Sequence, residues 1–255
     1  MSDLPGVGKN LQDHCLVFLG TVVDPELSDK AAFEADTSRF QAAREEWLKN
    51  GTGAMNIRNG SSNFGFFKLP PVFESKEFKD LDQESKSQIA KPNVPTFELF
   101  SGPGGLLVPP GFPLEDGLAY MTYGVVGMNP QSRGELRLTS SNAIDDVVFD
   151  PKYLDHPFDR RVMVEAIRES VKFIKSSKLG GYFKGFSLGP KDDSENEINN
   201  FINLRLSPVW HANGTLKMGK KEDSLAVVDP HLKVYGVSNL RVADVSVCPI
   251  TPKYV

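Results

Sequence analysis

Apolar and polar residues alternate along this chain with two different periods, and the switches between them outline its elements. "CLVFLGTVV" (15–23) is an almost continuous apolar run and predicts a strand. Between 37 and 50, Phe40, Ala43 and Trp47 recur at helical spacing, with Thr37 or Ser38 able to cap the start and Gly51 to stop the end. The segment from Gly51 to Pro70 reads as loop, ending in a short apolar strand around "NFGFF". "TFELFSG", "LAYMTYGVVGM" and "GELRLTS" read as further strands, and the alternation of Leu136 and Leu138 with charged residues predicts one buried face in the last of them. Between the first two of these lies a Pro/Gly-rich loop at 102–113.

The strongest helical pattern is "HPFDRRVMVEAIRESVKFIKSSKL", where Met163, Ile167, Val171 and Ile174 share a face and a lysine-rich last turn suits the helix dipole. A second helix opens at Ser194, which forms a Ser-x-x-Glu capping box with Glu197 ahead of Ile198, Phe201 and Ile202. The last strand expected is "NLRVAD" (239–244). Strands and helices are mixed without a βαβα alternation, so the pattern predicts an α+β fold around an antiparallel sheet rather than a parallel, doubly wound one.

Composition adds mainly exclusions. With 255 residues, 40% hydrophobic and 24% charged, the chain has enough apolar material for a large core. The net charge of −4 and the absence of a basic cluster argue against a nucleic-acid partner. No apolar run reaches the length of a membrane span, and the start lacks the apolar core of a signal peptide, so a cytoplasmic protein is expected. Cys15 and Cys248 lie at opposite ends and fit neither a metal site nor a disulfide framework, which leaves two buried thiols as the simplest reading. His-Glu-x-x-His and paired-cysteine spacings are absent, and no metal site is expected.

Candidate chemistry concentrates in "SPVWHANGTLKMG" (207–219). His211 is framed by Ala212, Gly214 and Gly219, small residues that let a ligand or another backbone approach closely. An imidazole changes charge near neutral pH and suits general acid or base work. The other histidines, His14, His156 and His231, sit in turn-like contexts and read as surface or hydrogen-bonding residues. No Gly-x-Ser-x-Gly elbow is present, and the glycine clusters at Gly6–Gly8 and 102–105 lack the strand-to-helix context of a dinucleotide fingerprint. Phe64, Phe66 and Phe67, with the 102–113 loop, are candidates for lining an apolar substrate pocket.

Three stretches, "LPGVGKNLQDH", "SRGELRLTSSNAIDDVVFDPKYLDHPFD" and "WHANGTLKMG…VVDPHLKVYGVSNLRVADVSVCP", resemble the glucose–methanol–choline (GMC) oxidoreductase family in its order, and the style is that of its fungal, secondary-metabolism members. The resemblance implies a substrate domain with an antiparallel sheet of about six strands folded over FAD. It implies that His211 takes the proton of an alcohol while hydride passes to flavin N5, with Trp210, Asp244 and Val245 along the flavin. Residues 1–14 would be a turn segment entering the domain, 15–206 the substrate-binding domain, and 207–255 the piece that returns to the flavin domain.

The resemblance also sets apart what the chain lacks. The family's strand–Gly-rich turn–helix for the FAD pyrophosphate would precede the first residue, and its second catalytic His or Asn would fall at about Val255, so the chain is expected to be truncated at both ends. Three functions then compete: part of a flavin oxidoreductase acting on an alcohol-type or hydrophobic small molecule, a flavin-independent cyclase, isomerase or lyase built on the substrate domain, and a non-catalytic binding relic. A face left uncovered by a flavin domain would invite a homodimer or a partner chain.

Overall fold

The structure is a computed structural model that describes residues 3–27, 33, 36–58, 63–103 and 118–252. The strands are β1 (Cys15–Val23), β2 (Asn63–Phe67), β3 (Phe97–Pro103), β4 (Ala119–Gly127), β5 (Glu135–Arg137), β6 (Val148–Asp150), β7 (Phe183–Leu188) and β8 (Ser207–Pro208). Six of them form one antiparallel sheet in the order β2-β3-β4-β1-β7, with β8 added to the end of β1. The predicted α+β class and the sheet of about six strands are both present. β5 and β6 pair separately.

Among the described residues, three helices of eleven or more residues accompany the sheet: α1 (Thr37–Asn50), α2 (Pro157–Lys175) and α3 (Glu195–Arg205). α2 is held at its start by the His156 ring, whose Nδ1 accepts from the backbone N–H of Phe158, and by Pro157 in the first turn. One face of it, Met163, Ile167 and Ile174, is buried as the periodicity requires, with Val171 packed at the margin. Each such buried side chain is worth about 1.5–3 kcal/mol of transfer free energy. α3 opens at Ser194, whose hydroxyl accepts from the N–H of Glu197, one half of the expected capping box, while the Ser194 N–H donates to Asp192 Oδ1 instead of to Glu197. α1 ends at Gly51 in the left-handed conformation (φ 67°), where a side chain would be strained.

The register sorts the sheet's side chains into two layers. Cys15, Val17 and Leu19 of β1, with Val125 and Tyr123 of β4 and Leu99 and Phe97 of β3, pack with α2 and α3 into the main core. Leu16 and Val126 point the other way and join Met128, Phe18, Phe100 and Val209 in a smaller cluster. That second face carries the candidate site.

Several local expectations change. α1 is capped by the Asp36 carboxylate, which accepts from the N–H of Arg39, and not by Thr37 or Ser38. Leu138 is 74% exposed and lies beyond β5, so "GELRLTS" has no buried face through it. The 239–244 segment contributes only an isolated antiparallel bridge, Lys233↔Arg241, made by Val242 N–H to Leu232 C=O and Val234 N–H to Leu240 C=O, and not the expected strand. Residues 104–113 of the Pro/Gly-rich loop lie outside the described residues. Short helices at Pro70–Glu74, Lys76–Lys79 and Gln83–Ala90, and strand β7, appear where the residue pattern has no strong period. Among the described residues no helix is long and apolar enough to cross a membrane.

Candidate active site

Two distant segments meet at one end of β1. Residues 10–14 run antiparallel to residues 211–214: Gln12 N–H donates to Asn213 C=O (3.0 Å) and Asn213 N–H to Gln12 C=O (2.9 Å). The Gln12 side chain, 1% exposed, donates to Pro249 C=O and accepts from the N–H of Thr251. The Asn213 amide donates to His211 C=O at 2.8 Å and to Thr251 Oγ1 at 3.3 Å. Gly214 has φ 87°, and a Cβ there would come within 2.6 Å of Asn10 C=O, so the close approach needs glycine twice over. Three pieces of chain are thereby locked around His211.

Asp13, 5% exposed, holds the site from beneath. Its Oδ1 accepts from the backbone N–H of His211 at 2.9 Å, and its Oδ2 accepts from the Tyr153 hydroxyl at 2.5 Å. Burial first, then the hydrogen bond to Asp13, raises the Tyr153 phenol well above the ordinary tyrosine range.

The structure brings His14 to His211. Their Nδ1 atoms are 3.3 Å apart and the rings meet edge-on, with centroids 5.6 Å apart at 80°. His14 is 3% exposed, and its Nε2 has no partner among the described residues. Burial, and secondarily the charge of His211, lowers His14 to about 4, so it is a neutral imidazole at physiological pH. His14 is thus not the surface or turn residue that its local sequence suggests. A signal for it existed: even positions of β1 face this side, and counting back from Phe18 and Leu16 by twos reaches His14.

Both histidines line a cavity of about 240 Å³. Phe64 and Phe66 of β2 and Phe100 of β3 supply aromatic walls, Val126, Met128 and Val209 add aliphatic surface, and Glu98 adds a carboxyl. Gly124 makes room for Phe100, since a Cβ there would lie 2.1 Å from its ring. Phe67 is turned to the opposite face, where its ring stacks on Phe97 (5.2 Å, 27°) and borders a separate recess. Of the three phenylalanines singled out, two therefore share the cavity of His211 and Phe67 does not.

Trp210 is in the left-handed conformation (φ 62°) and 78% exposed. Asp244 caps the 3-10 turn Val245–Val247 by accepting from the N–H of Ser246 at 2.7 Å, and Val245 is 53% exposed. Burial pushes the Cys15 thiol up to about 12, while Cys248 is half-buried and both are free. Among the described residues no three His, Cys, Asp or Glu side chains are grouped as a metal site would need.

Comparison with known proteins agrees with this architecture. The family model of the GMC oxidoreductases matches residues 130–254. The fold superposes on an R554K variant of the formate oxidase of Aspergillus oryzae RIB40 with a TM-score of 0.84 at 25% identity, covering 98% of this chain and 44% of that one. The chain belongs to the GMC oxidoreductase family. It is 30% identical to an alcohol dehydrogenase [acceptor] of Pseudomonas putida over 97% of its own length and 40% of that protein. It is 28% identical to the versicolorin B synthase of Aspergillus parasiticus over 97% of its length and 37% of the synthase. This GMC chain thus spans less than half the length of the relatives it matches.

FAD is a cofactor of the family, and the residues here fit one part of it. Trp210, Val245 and Ile250, at 78%, 53% and 51% exposed, form apolar surface on the segments locked around His211. Asn213 Oδ1 and Ser246 Oγ, on the same segments, are buried without partners among the described residues. Exposed apolar surface beside unspent polar atoms suits a flat, polar-edged ring system.

Proposed function

We propose that this chain is the substrate-binding and proton-accepting part of an oxidoreductase acting on alcohols, with the substrate in the cavity at His211. The contact between the two Nδ1 atoms carries the reading. A substrate hydroxyl gives its proton to His211 Nε2, which becomes an imidazolium with hydrogen on both nitrogens. His14, held neutral by burial, then accepts the Nδ1–H of His211. Transfer of that proton onward is opposed, because it would charge a buried ring. Asp13 keeps the His211 backbone in place throughout.

Trp210, Val245 and Ile250 would border the flavin ring. When bound, FAD supplies the acceptor for the hydride that leaves the alcohol carbon. The test is anaerobic loss of the flavin absorbance when an alcohol is added to the chain supplied with FAD. His211→Ala should slow the loss at least about 100-fold, the usual weight of a positioned base. An unchanged rate in His211→Ala refutes the base role.

A second reading has its own support. The histidine pair can move a proton without any redox partner, and a relative at 28% identity is named a synthase. A flavin-independent cyclase, isomerase or lyase would keep its His211-dependent turnover in a preparation with no flavin absorbance.

A further inference from the structure

Asp159 stands in the first turn of α2 but does not serve that helix. A first-turn carboxylate ordinarily faces water and steadies its own helix through the dipole. Asp159 is 6% exposed, and both of its oxygens are spent on another segment. Oδ1 accepts from the backbone N–H of Gln131 at 2.7 Å, and Oδ2 accepts from the N–H and the hydroxyl of Ser132 at 2.8 and 2.6 Å. The Ser132 hydroxyl in turn accepts from the N–H of His156 at 2.9 Å, so the 131–132 turn is tied twice to the start of α2. Arg133 braces the same turn by donating to Pro130 C=O and Ser132 C=O. Burial pushes the Asp159 carboxyl above its ordinary range, and the bonds from Ser132 and Gln131 offset only part of that cost.

The turn leads directly to the backbone that carries His14. Leu11 and Gly134 exchange both backbone hydrogen bonds, at 3.1 and 2.8 Å, and Leu136 N–H donates to Gly8 C=O at 2.7 Å. On the other side, Gly8 N–H donates to Thr215 C=O, and Gln12 pairs with Asn213. Residues 8–12 are thus the middle of three pieces of chain, and α2 holds the outer one through Asp159. Gly134 is packed hard against β6, since a Cβ there would lie 2.1 Å from Asp150 C=O. From this geometry we propose that Asp159 is a positioning residue for the His14–His211 pair, acting through Ser132 and the Leu11–Gly134 pairing. Its meaning for catalysis rests on the proposed function; the placement of His14 does not. His14 follows the clasped segment by two residues and keeps its burial only while that segment is held on both sides.

The test follows the ring nitrogens of His14 by proton–nitrogen NMR across a pH series in the folded 255-residue chain. His14 titrates at about 4 in the native chain. Asp159→Asn keeps the shape but presents an NH₂ group where an acceptor oxygen was, facing an N–H of the turn. The turn should loosen, water should reach His14, and its titration should rise above about 5. Loss of a negative charge alone would move His14 the other way, so a rise reports displacement. Ser132→Ala, which leaves both backbone N–H bonds to Asp159, should give a smaller rise and serves as the test where Asp159→Asn does not fold. Ile167→Ala truncates a fully buried residue of the same helix and should lower the melting temperature while leaving His14 in place. The reading needs no turnover, so failure of the base role at His211 and failure of this placement give different results. No rise in folded Asp159→Asn, no rise in Ser132→Ala where it stands alone, or an equal rise in Ile167→Ala each overturns the proposal.

Discussion

Acidification should unfold this chain through one residue whose sequence context looked unremarkable. An unfolded histidine titrates near about 6.5, whereas His14 in the fold titrates at about 4. Between those values the unfolded chain binds the extra proton, so stability is full above the unfolded value and falls as the pH drops toward the folded one. The whole span is worth about 3 kcal/mol, and the part between about pH 7.5 and about pH 5 is about 2 kcal/mol. Other groups titrate over the same range, so the measurement is a difference of differences. Urea unfolding is followed at both pH values for the native chain and for His14→Gln, which cannot titrate but still offers a polar group to His211. Far-ultraviolet circular dichroism is the better signal, since Trp47 and Trp210 are already 45% and 78% exposed in the fold. The native chain should lose about 2 kcal/mol more than the variant on going to the lower pH. Equal losses would mean that His14 is hydrated or already paired, and would remove the physical basis for a neutral His14 acting as acceptor.

Asp13→Ala and Tyr153→Phe should be coupled by about 1.5–3 kcal/mol in a double-mutant cycle read by urea unfolding, because the first leaves the Tyr153 hydroxyl unpaired and the second removes that penalty. Additive effects would refute the contact. Tyr153 is held above its unfolded value, so its contribution is complete below about pH 10 and is lost as the pH rises beyond it. Alkaline unfolding should therefore be shallower in Tyr153→Phe. Gly124→Ala should cost about 1–3 kcal/mol by forcing the Phe100 ring aside, and Phe100→Ala in the same chain should recover part of that cost, as seen in melting temperature.

How much of this was legible in the sequence depended on how local the determining forces are. β1, α2 and the Ser194 cap depend on neighbours within a few residues, and each is present where the pattern put it. Where adjacent residues compete, the pattern loses resolution: Asp36, Thr37 and Ser38 can all cap a helix, and the carboxylate does so. The 239–244 segment has strand-like composition, but it pairs with 232–234 through one bridge only, and composition cannot reveal how far a pairing extends. His211 stood out through its small-residue frame. His14 lies 197 positions away, and only the sheet register and the Gln12–Asn213 pairing bring the two rings together. The cavity partners Glu98 and Phe100 were unreadable for the same reason, since membership depends on which strand lies beside which.

The two faces of the sheet explain why a site can persist here at all. One face is spent on α2 and α3, and its packing of Val17, Leu19, Phe97 and Val125 fixes the strand spacing. The other face carries a smaller apolar cluster and groups a core would reject: among the described residues a carboxyl at Glu98 with no cation beside it, a His14 Nε2 with no partner, and an aromatic wall with empty space in front of it. Strand register places Glu98 and the aromatic wall, and the polar lock of Gln12, Asn213 and Thr251 joins residues 10–14 to residues 211–251 and so sets His14 against His211. A buried polar cluster adds little net stability compared with apolar packing, but each of its members has a required partner and geometry. Specific position, more than stability, is what two imidazole nitrogens 3.3 Å apart require.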